Sequence, residues 1–316
     1  MNMKRIPVIM DVDMGVDDAA AVLLAATHPS IELLGVTTVF GNRQLERTNR
    51  NTLSFLELIK KTDIPVAKGA DRPLVVALEE YKDDGEFVVH GAEGMGYAKI
   101  PPFTKQNISL SAVDFIAHTV KSRAEKVVLI PVGPLTNFAE FITKYPELKS
   151  RIERISLMGG CFGKGNITPF AEVNAYLDPH AAKIVFGSGI PITMCGLDAT
   201  EQCFITADER SLLLETQNVL NIFMSEALGC YAEFYERMGY PGCVLHDSLA
   251  VVCVARPDLV KTKRAFVSVS TEGANIGQTL VDFVTESRFN ADVAVHADRE
   301  RFVSLFFDSV KAAVCS

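Results

Sequence analysis

Short apolar runs that close in glycine-containing turns, each followed by a stretch of helical periodicity, recur along most of this chain and leave few ways to fold it. The first run, residues 6–10, leads through carboxylates and Gly15 into an alanine- and leucine-rich stretch at 19–26, which reads as strand, turn and helix. Residues 31–40 read as a buried strand, 44–59 as a helix and 64–67 as a short strand; further apolar runs follow at 126–131, 152–158 and 190–195. Strands alternating with helices need a sheet covered on both faces, so the expected fold is α/β, a doubly wound, mostly parallel sheet flanked by helices. Residues 201–240 turn mainly helical, and 264–269 and 291–295 read as late strands that extend the same sheet. A length of 316 residues suits one large core, and no repeat, low-complexity tract or linker marks a boundary; residues 1–316 are expected to form a single domain.

Charge and cysteine usage exclude several function classes. Lys and Arg number 31 against 39 Asp and Glu, so the mildly acidic surface offers no footprint for nucleic acid. No apolar stretch reaches membrane-spanning length, and Asp11 interrupts the first run before a signal-peptide core can form. The seven cysteines are odd in number, scattered and without a CxxC pair, which fits reduced thiols in a cytoplasmic protein. The polar stretch 70–105 is long for a loop in a compact domain and is expected to be an active-site flap.

Asp11, Asp13, Asp17 and Asp18 fall within eight positions, at the end of the first strand and the start of the first helix. One Asp at a helix start needs no function, because it accepts backbone N–H groups and favours the positive end of the dipole. Four together repel one another unless a cation is present, and hard divalent ions take oxygen ligands. By the period of two, Asp11 and Asp13 project to the same face of the strand, so one can act as ligand or base and the other as its support.

The run Asp11-Val12-Asp13-Met14-Gly15-Val16-Asp17-Asp18 resembles the DxDPGxDD signature of the inosine-uridine nucleoside hydrolases, with Met14 in place of the proline. The match continues in the family's order over most of the chain: Gly41-Asn42, His90-Gly91, Gly94-Met95-Gly96, Gly133-Pro134-Leu135-Thr136-Asn137, Met158-Gly159-Gly160, Gly165-Asn166-Ile167-Thr168-Pro169, Ala171-Glu172-Val173-Asn174 and His246-Asp247. A second departure is Ala92-Glu93, where many relatives read Glu-Ser. The resemblance implies a calcium-dependent enzyme that hydrolyses the N-glycosidic bond of small-molecule ribonucleosides to base and ribose, as a homodimer or homotetramer. It implies Ca2+ held by the side chains of Asp13, Asp18 and Asp247 and the carbonyl of Val132, which leaves room for a water and two ribose hydroxyls. Asp13 is then the expected general base.

The same resemblance has Asp17, Asn42, Asn166, Glu172 and Asn174 gripping the ribose, with Met158 beneath it. On the residues alone, turn chemistry is the better reading of Asn166, Glu172 and Asn174. His246 is expected beside the leaving base as general acid, since imidazole donates a proton near neutral pH, while His90 contacts the base or closes the site. His28, His118, His180 and His296 read as packed or surface residues. The purine-specific branch stacks its base between indoles, and this chain has no tryptophan; another branch has Cys where His246 stands. A preference for pyrimidines or for both base classes is the resulting expectation. Two rivals stay open. A haloacid-dehalogenase-like phosphotransferase would use Asp11 as nucleophile, but needs a late acidic pair that is not convincing here. A non-catalytic nucleoside- or ribose-binding protein would keep the fold, but the full ligand set and His246 argue against it.

Overall fold

The computed structural model describes residues 5–75 and 88–315. The apolar runs become strands β1 (Ile6–Val12), β2 (Ile31–Thr38), β3 (Val66–Lys68), β4 (Val127–Pro131), β5 (Ile152–Met158) and β6 (Ile192–Cys195). Later come β7 (Phe204–Ile205), β8 (Cys243–Val244), β9 (Val260–Val269), β10 (Thr279–Asp282) and β11 (Ala291–Ala297). Among the described residues nine strands form one sheet in the order β10-β9-β11-β6-β5-β4-β1-β2-β3, and β7 pairs with β8 apart from it. From β3 to β11 that sheet is parallel, which is the doubly wound, mostly parallel architecture expected.

The late strands do extend the sheet, with one correction of sense: β9 runs antiparallel to β11, and β10 antiparallel to β9. Strand direction leaves no mark on side-chain periodicity. β10, unread in the sequence, has four residues of which only Thr279 is buried, too few to display alternation. The helical expectation for 201–240 is met by the helices Ala207–Ser211 and Val219–Arg237, with the short β7 preceding them.

Residues 7–12 of β1 are all buried, because helices cover both faces of this central strand. The helices Val16–Thr27, Ser248–Ala255 and Arg299–Cys315 supply apolar side chains to the core on one face; Ala112–Ser122, Thr136–Lys144 and Pro179–Phe186 supply the other. After β1 the chain moves outward to β2 and β3, then crosses to β4, β5 and β6 on the opposite side. The order therefore reverses between β1 and β4, and neighbouring strand ends there open the crevice in which such sheets bind ligands. Asp13 leaves β1, and Val132 leaves β4, at that crevice.

Of the stretch expected as a flap, residues 76–87 lie outside the described residues. The turn around 90–97 is braced from two sides: Asn51 Nδ2 donates to the Glu93 carbonyl at 2.8 Å, and Tyr97 OH donates to Glu233 at 2.7 Å. Gly96 touches the helix Val219–Arg237 so closely that an added Cβ would lie 2.3 Å from the Ala227 carbonyl oxygen.

Candidate active site

Gly15 caps the helix Val16–Thr27 and puts Asp17 and Asp18 in its first turn. Asp18 turns back toward the strand. Its Oδ1 accepts from the Asp13 N–H at 3.1 Å, and its Oδ2 accepts from the Gly15 N–H at 2.7 Å and from Asn42 Nδ2 at 3.0 Å. The Asn42 N–H in turn donates to Asp13 Oδ2 at 2.7 Å, so one asparagine after β2 ties two carboxylates together. The loops flanking Asp13 carry glycine for want of space: an added Cβ at Gly41 would lie 2.1 Å from Asp13 Oδ2, and one at Gly133 2.7 Å from Oδ1. Asp247 arrives from the far end of the chain, just before the helix Ser248–Ala255. Carboxylate oxygens of Asp17, Asp18 and Asp247 lie within 4.8 Å of one another, all three residues being buried.

Crowding and burial make these carboxylates poor acids. Burial first, then the charge of Asp18, pushes Asp17 up to about 8 and Asp13 well above the carboxylate range. Burial raises Asp18 to about 6 against the opposing hydrogen bonds from Gly15 and its neighbours, and burial followed by the charges of Asp17 and Asp18 raises Asp247 far up. Asp17 Oδ1 has no hydrogen-bond partner among the described groups. Several hard oxygens within reach of one point, one of them unpartnered, form a donor set that a divalent cation would satisfy. Met14, standing where the family signature has proline, is fully buried and joins the core; it contributes packing to this turn and no ligand.

Asp11 lies apart from this cluster. Its Oδ1 accepts from Thr37 Oγ1 and from Asn137 Nδ2 at 2.8 Å, and Asn137 also donates to the Thr38 carbonyl at 3.0 Å, so the residue ties β1 to its surroundings. Burial raises its carboxyl to about 7. Its engagement with Thr37 and Asn137, apart from the grouped carboxylates, suits a supporting residue better than the nucleophile of a phosphotransferase.

On the other side of the crevice, Glu172 caps the short helix Val173–Leu177 and is fully buried, accepting from the N–H groups of Asn174, Ala175 and Gly160. Asn174 Nδ2 donates to the Val132 carbonyl at 2.8 Å and to the Met158 carbonyl at 3.3 Å. These contacts join the ends of β4 and β5 to Val132, Met158, Glu172 and Asn174. Asn166 is exposed and accepts from the Val173 N–H at 3.0 Å, the turn chemistry that its residue type suggests.

His90 and His246 occupy the third wall. The Val16 N–H donates to His90 Nδ1 at 3.1 Å, and that nitrogen lies 3.8 Å from Asp17 Oδ1. The His90 ring packs on Tyr231 with centroids 5.0 Å apart, and Tyr231 OH donates to Asp17 Oδ2 at 3.0 Å. His246 is buried between two hydroxyls: Thr200 Oγ1 is 2.7 Å from Nδ1 and Tyr235 OH is 2.6 Å from Nε2. Burial lowers His246 to about 3, and burial together with the Arg43 guanidinium lowers His90 to about 3. Both imidazoles are therefore neutral at pH 7, whereas the sequence alone suggested a histidine titrating near neutrality. Thr200 was not singled out in the sequence, and Tyr231 and Tyr235 entered it only through the tyrosine-bearing segment 231–240, as an alternative to His246 for activating the leaving base. Both tyrosines lie on the helix Val219–Arg237, where an aromatic at helical spacing is indistinguishable from core.

Fold and site together mark an α/β enzyme whose working groups stand beyond the carboxyl ends of its strands. Comparison with known proteins gives the family. A family profile described as inosine-uridine preferring nucleoside hydrolase matches residues 8–304. A pyrimidine-specific ribonucleoside hydrolase, RihA, of Shigella boydii is 38% identical over 311 residues, covering 97% of this chain and 98% of the relative. A purine-preferring ribonucleoside hydrolase from Gardnerella vaginalis superposes with a TM-score of 0.92 at 34% identity, over 98% of this chain and 100% of that one. A plant nucleoside hydrolase superposes with a TM-score of 0.88 at 30% identity, covering 96% of this chain and 98% of that one. The chain belongs to the inosine-uridine preferring nucleoside hydrolase family and is a ribonucleoside hydrolase.

Proposed function

We propose that this enzyme hydrolyses pyrimidine ribonucleosides, or both base classes, with Ca2+ as its cation and Asp13 as general base. The observation that carries the reading is the buried carboxylate cluster of Asp17, Asp18 and Asp247 at the strand-order reversal, to which Asn42 links Asp13 through Asp18. Asp13, Asp18, Asp247 and the Val132 carbonyl would hold the ion, with Asp17 beside them. Bound there, Ca2+ offsets the carboxylate charge and acidifies a nearby water. Asp13 would take the water's proton as the water approaches the anomeric carbon, its carboxylate held in place by the Asn42 N–H. Glu172, Asn174, Asn42 and Asp17 line the crevice with groups able to hold ribose hydroxyls, Met158 lies beneath the sugar, and Asn166 borders it.

The departing base needs a proton, and a buried neutral imidazole is no strong acid. A neutral imidazole donates through one nitrogen and accepts through the other, so Thr200, His246 and Tyr235 form a chain along which a proton can shift. We assign the donation to His246 acting through this chain, with His90 contacting the base. Pyrimidine or mixed preference is supported by the absence of tryptophan and by the likeness to RihA; the likeness to a purine-preferring structure keeps purines in the panel. We read residues 1–316 as one catalytic domain, assembled as a homodimer or homotetramer and cytoplasmic. The continuous sheet supports the single domain; the described cysteines are free thiols, and no helix of the described residues is long and apolar enough to cross a membrane.

The test is incubation of calcium-loaded enzyme with uridine, cytidine, inosine and adenosine in phosphate-free buffer, reading free ribose. Uridine or cytidine turned over at least as well as inosine supports the proposal. Release from purine nucleosides alone overturns the base preference, and full activity after calcium chelation overturns the metal.

A further inference from the structure

We infer that Arg43 is a positioning residue for this reaction, locking the turn that carries His90 onto the loop that carries Asn42. The inference rests on the hydrolase reading above and extends it to the residue that joins two walls of the site. Arg43 is only 4% exposed. Its guanidinium donates through Nη1 to the Asn42 carbonyl at 2.9 Å, through Nε to the Ala92 carbonyl at 3.2 Å, and through Nη2 to the Gly91 carbonyl. A planar fork with five N–H donors serves carbonyls of two separate segments at once and in fixed geometry, with more donors and less freedom than an ammonium on a flexible stem.

Each segment held by the fork carries site residues. On one side, Asn42 binds Asp13 and Asp18; on the other, His90 accepts from Val16 and packs on Tyr231. The turn cannot lift without stripping partners from a buried cation, which is costly. Neighbouring contacts add to the same latch: Arg50 pairs with Glu93 at 2.8 Å, and Asn51 Nδ2 donates to the Glu93 carbonyl. The latch grips main-chain carbonyls of residues 91–93, so the departure from the family at Ala92-Glu93 leaves most of it in place. The ligand carboxylates take their bonds from Asn42 N and Nδ2, whereas Arg43 grips the Asn42 carbonyl. Arg43 therefore acts on the base-contacting wall more than on the cation.

Arg43→Lys and Arg43→Gln separate the roles. In calcium-loaded enzyme with uridine, Arg43→Gln should raise KM by about tenfold or more while kcat falls less than about threefold, and Arg43→Lys should recover part of the KM loss. Calcium affinity, titrated without substrate, should stay close to the parent. Amide hydrogen exchange at residues 90–97 needs no turnover and should accelerate by about tenfold or more in Arg43→Gln. Unchanged exchange overturns the latch whatever the substrate. KM within twofold of the parent, or calcium affinity and KM lost together, overturns the positioning role. Failure of the parent to release ribose from uridine, with exchange accelerated as expected, sinks the substrate reading and leaves the latch standing.

Discussion

As the proposed base, Asp13 would have to meet two demands that a single carboxylate rarely meets: sit close enough to a cation to share it, and remain basic enough to accept a proton. Burial and the adjacent Asp18 raise its carboxyl, and the Asn42 N–H together with the tight fit between Gly41 and Gly133 fixes where the side chain stands. Asp13→Asn keeps the size and one oxygen, so kcat should fall by about 10²–10⁴-fold with KM within a few-fold of the parent. Steady-state kinetics on uridine check this, and equal losses in affinity and rate would reduce Asp13 to a ligand. At the leaving group, His246→Ala and Tyr235→Phe should slow uridine by a similar order. Both should leave a nitrophenyl riboside, whose departure needs no proton, nearly as fast as the parent. Slowing of both substrates alike would mean that the pair holds the wall together and delivers no proton.

At the level of elements, the site depends on helices being held at set positions along the sheet, and some of that work is done by surface charge. Asp114 lies in the first turn of the helix Ala112–Ser122, and its carboxylate accepts from Lys144 at 2.6 Å, Tyr145 OH at 2.7 Å and Ser111 Oγ at 3.0 Å. It thereby ties that helix to the end of the helix Thr136–Lys144, which carries Asn137. These partners, Lys144 foremost, lower the carboxyl from 3.8 to about 2. A folded value below the unfolded one adds stability above the unfolded value and loses it as pH falls toward the folded one. Asp114→Asn should therefore lower Tm only slightly at pH 7, given the exposure of the pair, and the gap to the parent should narrow between pH 4 and pH 2. Thermal melts across that range decide it; a gap that widens in acid would refute the assignment.

For the whole molecule, the buried aspartates Asp13, Asp17, Asp18 and Asp247 at one end of a sheet are a standing electrostatic cost that a bound cation would offset. Calcium at a hundred times its Kd adds about 2.7 kcal/mol to any fold that binds it only when folded. Chelation followed by dialysis should accordingly lower Tm on the order of 5 °C and abolish turnover, with calcium restoring both. Calorimetry with and without the chelator checks this. An unchanged Tm in Asp18→Ala on calcium addition, set against a shift in the parent, would tie the effect to the cluster.

Local patterns carried much of this in the sequence. The alternation of apolar runs and helical periods dictated a covered parallel sheet, and four aspartates at one strand-to-helix turn already marked where charge would gather, because neighbours in sequence stay neighbours across a short turn. The family resemblance added Asp247 and His246, which no spacing rule connects to Asp13. Tertiary structure alone decided the rest. It set β9 antiparallel, since side-chain period carries no direction. It turned the side chain of Asn166 to capping and gave Asp11 to Thr37 and Asn137. It also put Tyr231 and Tyr235 against Asp17 and His246, contacts between residues up to 214 positions apart. Burial shifts the two histidines away from neutrality, and burial belongs to the packed chain: the same imidazole titrates near 6.5 in water and near 3 here because the folded interior withholds the solvent that a charge requires.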